Sequence, residues 1–389
     1  MRFMHLGDLH IGRSLGDFDL IEDQRFMLMQ LKEIAREHQV DAVLIAGDVY
    51  DRSVPSEAAV CLLNDFLCGL VKENIQVYMI SGNHDSEERL NFGSSLFEKN
   101  HIYIAAGFDG TLYKHTSVDS FGELNIYLLP FIKASQVRHY YPEDQIENYE
   151  DAVRAVLEHS DLDGTKRNLI VAHQFVTGGA HIPETEDDNR DAEEALSDSR
   201  FSYGNPDREG LDWEDPHLGG SEGPGTVSVG TVEKIGFASF DGFDYVALGH
   251  IHSPQRVGRD EVRYCGSPLK YSLSEVNNEK SVPIVELTDK GKVDIQLVSL
   301  KPMRDVRHLT GTLKELLGEG QITNPEDYIY ATLKDEDVIE NVMTIFQQHY
   351  PNTVKIDYDN SHTESLMNTE LDNIVNNKTF EELIGDFYR

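Results

Sequence analysis

Leu6-Gly7-Asp8-Leu9-His10 is the stretch on which the reading of this chain turns. Phe3 to Leu6, apolar apart from His5, predict a short strand that breaks at Gly7. Beyond the break a carboxylate and an imidazole stand two positions apart. In extended backbone residues i and i+2 point to the same side, so Asp8 and His10 can grip one cation together. A single Asp-x-His arises often by chance. Its weight here comes from four later stretches of the same construction.

Asp41 to Ala46 reads as a buried strand closed by Gly47-Asp48. Gln76 to Ile80 reads as another, closed by Ser81-Gly82-Asn83-His84-Asp85. Asn168 to Ala172 runs into His173, and Phe243 to Leu248 into Gly249-His250-Ile251-His252. Residues 23–39, 56–73 and 147–159 have the apolar spacing of helices. Alternating strands and helices predict an α/β fold with a parallel sheet and crossover connections. Ligands of such sheets bind beyond the carboxyl ends of the strands, so all five strand ends would share one crevice.

Taken singly, an Asp after a strand is most often a turn residue, and an isolated His a hydrogen-bonded structural one. Eight metal-binding or acid–base side chains in one topological position ask for a common cause. Imidazoles, carboxylates and an amide oxygen without a thiolate suit Mn²⁺, Fe²⁺ or Zn²⁺. The candidate ligands exceed what one ion needs, which implies two divalent ions and a carboxylate between them. Asp48, at the end of a central strand, is the best bridge. Two ions roughly 3.5–4 Å apart clamp a phosphoryl group and supply a nucleophile at neutral pH. The residues therefore point to metal-assisted phosphoester hydrolysis.

The rest of the chain sets the boundaries of that reading. At 389 residues it is long enough for two domains. Cys61, Cys68 and Cys265 show neither a disulfide framework nor zinc spacing, and the first two are expected as reduced thiols on the buried face of a helix. No apolar run reaches membrane-spanning length, and the first strand leaves no room for a leader, so a cytoplasmic location is expected. The net charge is −35, an apparent objection to nucleic acid as a partner. It is unevenly spread: residues 183–226 hold fourteen acidic against three basic side chains and read as a flexible surface insert. Bound cations can reverse the local field, so net charge does not decide the matter.

In order along the chain, D-x-H at 8–10, G-D-x-x-D at 47–51, G-N-H-D at 82–85, an isolated His173 and G-H-x-H at 249–252 resemble the pattern of the calcineurin-like metallophosphoesterases. Within them, residues 46–55, 241–252 and 264–275 are similar to the bacterial SbcD exonuclease subunits. The resemblance spans nearly the whole chain apart from the acidic insert. It implies two packed mixed β-sheets flanked by helices over residues 1–280, an α+β capping domain over 281–362, and a helical tail over 363–389 that docks on a partner. It assigns Asp8, His10, Asp48 and His252 to one ion and Asp48, Asn83, His173 and His250 to the other. His84 resembles the catalytic histidine that assists the leaving oxygen, and Asp85 either orients it or caps a turn. Asp51 stands where some relatives carry a further histidine and receives no catalytic role. Lys270 and Tyr271, after Gly266-Ser267-Pro268, are candidate phosphate and stacking contacts to DNA.

The implied activity is Mn²⁺-dependent exonuclease and endonuclease action on DNA. The implied partners are an SbcC-type SMC-like ATPase and a second copy of the chain. Two other readings share the ligand set: a phosphodiesterase of small phosphoesters, and a catalytically silent DNA-end scaffold.

Overall fold

The computed structural model describes residues 1–177, 234–318 and 320–360. The acidic insert and the expected helical tail lie outside the described residues. The chain divides into two compact units. The first comprises Met1–Ile11, Met29–Pro268 and Glu279–Leu300; the second comprises Gly12–Leu28, Leu269–Asn278 and the described residues from Lys301 onward.

Two six-stranded mixed sheets form the first unit. In one, β1 (Arg2–Leu6), β4 (Ala42–Ala46), β5 (Gln76–Ile80) and β6 (Ile102–Ala105) run parallel. The antiparallel strands β15 (Ser281–Leu287) and β16 (Val293–Ser299) extend it beyond β1. In the other, β8 (Gly122–Leu129), β9 (Arg167–Ala172), β12 (Tyr245–Leu248) and β14 (Arg259–Tyr264) run parallel. Antiparallel β7 (Tyr113–Asp119) and β13 (Gln255–Val257) close its two edges. A short parallel pair, β10 (Val176–Thr177) and β11 (Ile235–Gly236), completes the unit.

Every residue of β4 and β9 is buried, as expected of strands covered on both faces. Alternate residues interlock between the sheets: Phe3, Leu44, Ala46, Tyr78 and Ile80 pack against Ile126, Leu128, Leu169, Val171 and Ala247. The opposite side of the second sheet is covered by helices Ala134–Tyr140 and Tyr149–Glu158, through Val137, Val153 and Val156. Asn148 caps the latter helix in a reciprocal capping box with Asp151. Helix Glu57–Lys72 is capped by Ser56 and buries Leu62, Leu63, Phe66 and Leu70. Cys61 and Cys68 fall outside that stripe and are exposed, so the expected buried face is not theirs; Cys265 is the buried thiol.

The second unit is built on a parallel three-stranded sheet, β17 (Val306–Gly311), β18 (Tyr328–Leu333) and β19 (Thr353–Tyr358). One face holds Ile329, Ala331 and Leu333 over Phe346 and Tyr350. The expected helix over 335–349 shrinks to Val342–Gln347. A small hairpin, β2 (Ser14–Leu15) and β3 (Phe18–Asp19), belongs to the same unit. There Asp23 accepts hydrogen bonds from Arg304 and, at 2.9 Å, from the Tyr328 hydroxyl.

Two expectations about boundaries are corrected here. Residues 281–300 belong to the first unit, because β15 pairs with β1 through Arg2↔Glu286 and Phe3↔Val285. The second unit is discontinuous, since it also takes in Gly12–Leu28 and Leu269–Asn278. Among the described residues no helix is long and apolar enough to cross a membrane.

Candidate metal centre

The five strand ends that the sequence singles out are β1, β4, β5, β9 and β12, all from the first unit. Backbone hydrogen bonds tie their extensions together: Asp8 N–H donates to Gly47 O at 3.0 Å and His10 N–H to Asp48 O at 2.9 Å. The backbone is unusual here. Asp8 (φ 51°), His10 (φ 41°), Asp48 (φ 47°) and His250 (φ 101°) all occupy left-handed conformations that non-glycine residues rarely adopt. Such strain clusters at functional sites, where the surrounding structure over-determines it. It also corrects the expectation for Asp8 and His10, which converge from left-handed backbone rather than as neighbours along a strand.

Two groups of donors result. In the first, His10 Nε2 and His252 Nε2 face each other at 3.1 Å, and donor atoms of Asp8, His10 and His252 all lie within 4.8 Å of one another. In the second, Asn83 Oδ1 is 3.1 Å from His173 Nε2 and 3.1 Å from His250 Nδ1. Asp48 Oδ2 stands between the groups, 3.6 Å from His10 Nε2 and 3.4 Å from His173 Nε2. Metal–donor bonds of about 2.0–2.2 Å separate neighbouring donors on one ion by roughly 2.8–3.6 Å. The five pairwise distances, 3.1–3.6 Å, fall in that window. The donor set fits divalent cations, with Asp48 between its two groups.

Supporting contacts fix which atoms are free to donate. His173 Nδ1 donates to Ala46 O at 2.7 Å, which leaves Nε2 as the lone-pair nitrogen. Asp8 accepts the His250 amide at 2.9 Å, and Asp48 Oδ1 accepts the His84 amide at 3.0 Å. His84 Nδ1 donates to Asp51 O at 3.1 Å, so its Nε2 is the nitrogen able to exchange a proton. Asp51 thus acts on His84 through its carbonyl, while its carboxylate lies 3.8 Å from His10 Nδ1. Asp85 does not orient His84. Its carboxylate accepts backbone N–H groups of Gly82 (2.9 Å), Tyr50 (2.9 Å) and Val49 (3.1 Å), pinning the Asp48 and Asn83 loops to each other.

Electrostatics of the centre follow from burial. Burial, with Asp48 beside it, pushes Asp8 up to about 6 against the pull of His173 and His252. Burial also pushes Asp48 upward, but His173, His10 and His84 outweigh it and hold its carboxyl well below the usual range. His173 is the counterpart: burial opposes its charge, yet Asp48 raises it to about 9. His250 falls to about 3 through burial and the nearby His173 charge, so it is a neutral donor. His173 and Asp48 thus favour each other's charged forms.

Glycine is required where the strands converge. A Cβ at Gly249 would overlap the Ala46 carbonyl oxygen and stand 2.9 Å from His173 Nδ1, and one at Gly82 would overlap Asp48 Oδ1. These clashes account for the glycines of G-N-H-D and G-H-x-H.

Lys270 and Tyr271, the candidate DNA contacts, turn inward within the second unit. Lys270 Nζ is held by Val276 O at 2.7 Å and Asp305 at 2.9 Å. Tyr271 is 2% exposed, and its hydroxyl accepts a hydrogen bond from Gln24 at 3.3 Å. A buried ring has no open face for a base, so packing is the role this geometry gives them.

Residues 1–254 match the model of the calcineurin-like phosphoesterases, and the chain belongs to that family. Residues 302–389 match the type 5 capsule protein repressor C-terminal domain. The chain is 31% identical to the SbcD subunit of the nuclease SbcCD from Staphylococcus epidermidis, over an alignment of 399 residues spanning all of this chain and 93% of that protein. It is thus an SbcD-type member of the family, and its site is that of a metal-dependent phosphodiester hydrolase. A dimetal phosphatase from Danio rerio aligns with 78% of this chain and 98% of its own at 12% identity, with a TM-score of 0.38, too low to bear on the fold.

Proposed function

We propose that the chain is the nuclease subunit of an SbcC–SbcD-type complex, cutting DNA phosphodiesters as a duplex exonuclease and a hairpin endonuclease in repair, recombination and end processing. The observation that supports this best is Asp48, whose Oδ2 lies within coordination-edge distance of both His10 and His173. Asp8, His10, Asp48 and His252 would hold one ion, and Asp48, Asn83, His173 and His250 the other. Mn²⁺ is the ion we assign, since the carboxylate and amide oxygens suit it and the set holds no thiolate that would favour a softer ion. When bound, the pair supplies an activated water and neutralises charge on the phosphoryl oxygens.

The protein's own part lies in its histidines and backbone. His84 is the general acid: as the P–O3′ bond breaks, the proton on Nε2 passes to the departing 3′ oxygen. Its Nδ1–H, hydrogen-bonded to the Asp51 carbonyl, keeps the ring in place for that transfer. Asp85 fixes the loops around it through three backbone N–H groups.

The expected partners are DNA, an SbcC-type SMC-like ATPase that supplies most of the DNA affinity, and a second copy of the chain. Phe92, 82% exposed, and Leu96, 66% exposed, offer apolar surface for a protein contact. The net charge of −35 favours the competing reading, a small phosphodiester as substrate, because it opposes a polyanion. End-labelled duplex DNA incubated with Mn²⁺, Mg²⁺ or chelator separates the two. Mn²⁺-dependent shortening, lost in His84→Ala and His250→Ala, is expected, with His84→Ala still binding two ions. Hydrolysis of a small phosphodiester without DNA cleavage, in the presence of the ATPase partner, would favour the competing reading; inactivity on both would favour a scaffold.

A further inference from the structure

The Gly266-Ser267-Pro268 turn, part of a stretch singled out in the sequence, has no role in the centre as described so far. Its surroundings supply one. Ser267 N–H donates to the carbonyl oxygen of His252 at 3.0 Å. The ammonium of Lys280 donates to that same oxygen at 2.9 Å and to Ser267 Oγ at 2.9 Å. Gly266 sits at φ +75°, and a Cβ there would stand 2.7 Å from the His252 oxygen. Ser267 is fully buried and Lys280 is 7% exposed.

Burying an ammonium costs free energy unless strong acceptors meet it. A positive charge near a cation centre also works against binding the ion. The charge-assisted hydrogen bond from Lys280 to one carbonyl fixes that carbonyl's peptide firmly. The peptide in question belongs to His252, whose Nε2 meets His10 Nε2 at 3.1 Å.

We infer that Lys280 and the Gly266-Ser267 turn form a clasp that sets the backbone of His252, making Lys280 a positioning residue for the His10/His252 ion and not for its neighbour. This rests on the reading of His252 as a ligand of that ion. Groups that orient metal ligands typically change metal affinity 10–100-fold when removed.

The test is Mn²⁺ titration of the full chain by calorimetry, paired with electron paramagnetic resonance of the loaded protein. Wild type, Lys280→Met, Ser267→Ala and His252→Ala are compared. Wild type is expected to bind two ions and show an exchange-coupled pair. In Lys280→Met one ion should weaken 10–100-fold while the other keeps its affinity, so the coupled signal gives way to that of single ions. Ser267→Ala, which keeps both donors to the His252 carbonyl, should weaken the same ion less. Loss of both ions in Lys280→Met would mean a general structural role, and retention of both would mean no role; either overturns the clasp. If His252→Ala keeps both ions, the ligand reading itself fails; if it loses one while Lys280→Met loses neither, only the clasp fails.

Discussion

Substituting Gly249 by alanine adds one methyl group where the two sheets converge. The new Cβ would overlap the carbonyl oxygen of Ala46 and lie 3.0 Å from its carbon and 2.9 Å from His173 Nδ1. Carbon–carbon contacts settle at about 3.5–4.0 Å, so β4 and β12 must part by at least about 0.5 Å, and by more to clear the oxygen. Those strands deliver Asp48 on one side and His250 and His252 on the other, while metal sites tolerate donor displacements of only about 0.2 Å. The 2.7 Å bond from His173 to Ala46 O would be strained at the same time. Overpacking of this kind typically costs about 1–3 kcal/mol, which a chain with two large interlocked sheets survives. The expected outcome is a folded protein with a modestly lowered melting temperature and at least tenfold weaker Mn²⁺ binding. Calorimetric titration and thermal denaturation measure the two effects separately. Gly249→Ala protein that binds two ions with wild-type affinity would refute the close approach on which the centre depends.

Other perturbations follow from the same geometry. His173 is raised on folding from 6.5 to about 9, so in chelated protein its pairing with Asp48 stabilises fully below about pH 6.5 and the contribution is lost as pH rises through about 9. Denaturation of chelated protein across that window should show stability falling with pH, and Asp48→Asn should flatten the fall; a rise in stability with pH would contradict the pairing. The same proton must leave before His173 can bind metal, so Mn²⁺ affinity should climb toward pH 9 with proton release, measurable by titration in buffers of different ionisation enthalpy. Asp85→Ala strands the N–H groups of Gly82, Tyr50 and Val49 and should cost about 2–4 kcal/mol in chemical denaturation, with Asp85→Asn milder. In native protein Cys61 and Cys68 should react with a thiol reagent while Cys265 stays protected until unfolding, and three fast thiols would contradict its burial.

What could be read from the chain was the part encoded in local pattern. Runs such as Ala42–Ala46 and Tyr328–Leu333 show their strand character residue by residue, and the Asp, Asn and His that follow strands betray the centre by type. Less was visible where distant segments decide the outcome. Nothing near Ser281 reveals that β15 pairs with β1 from the other end of the chain, so the first unit extends twenty residues further than local texture suggests. Gly12–Leu28 looks like part of the first unit because it lies between two of its strands, yet it packs in the second. Lys280 has no motif of its own, and its role emerges only with the His252 carbonyl beside it. Tyr271 resembled a stacking surface in sequence because burial cannot be read from an aromatic followed by serine. The left-handed backbone at Asp8, Asp48 and His250 was hinted at only by the glycine before each of them.

Anomalous diffraction at the manganese edge, from crystals of the full chain grown with Mn²⁺, tests the two-ion centre most directly. Two peaks roughly 3.5–4 Å apart, both bonded to the Asp48 carboxylate, are expected, one also touching His10 and His252 and the other Asn83, His173 and His250. A single peak, or two of which either fails to touch Asp48, would contradict it.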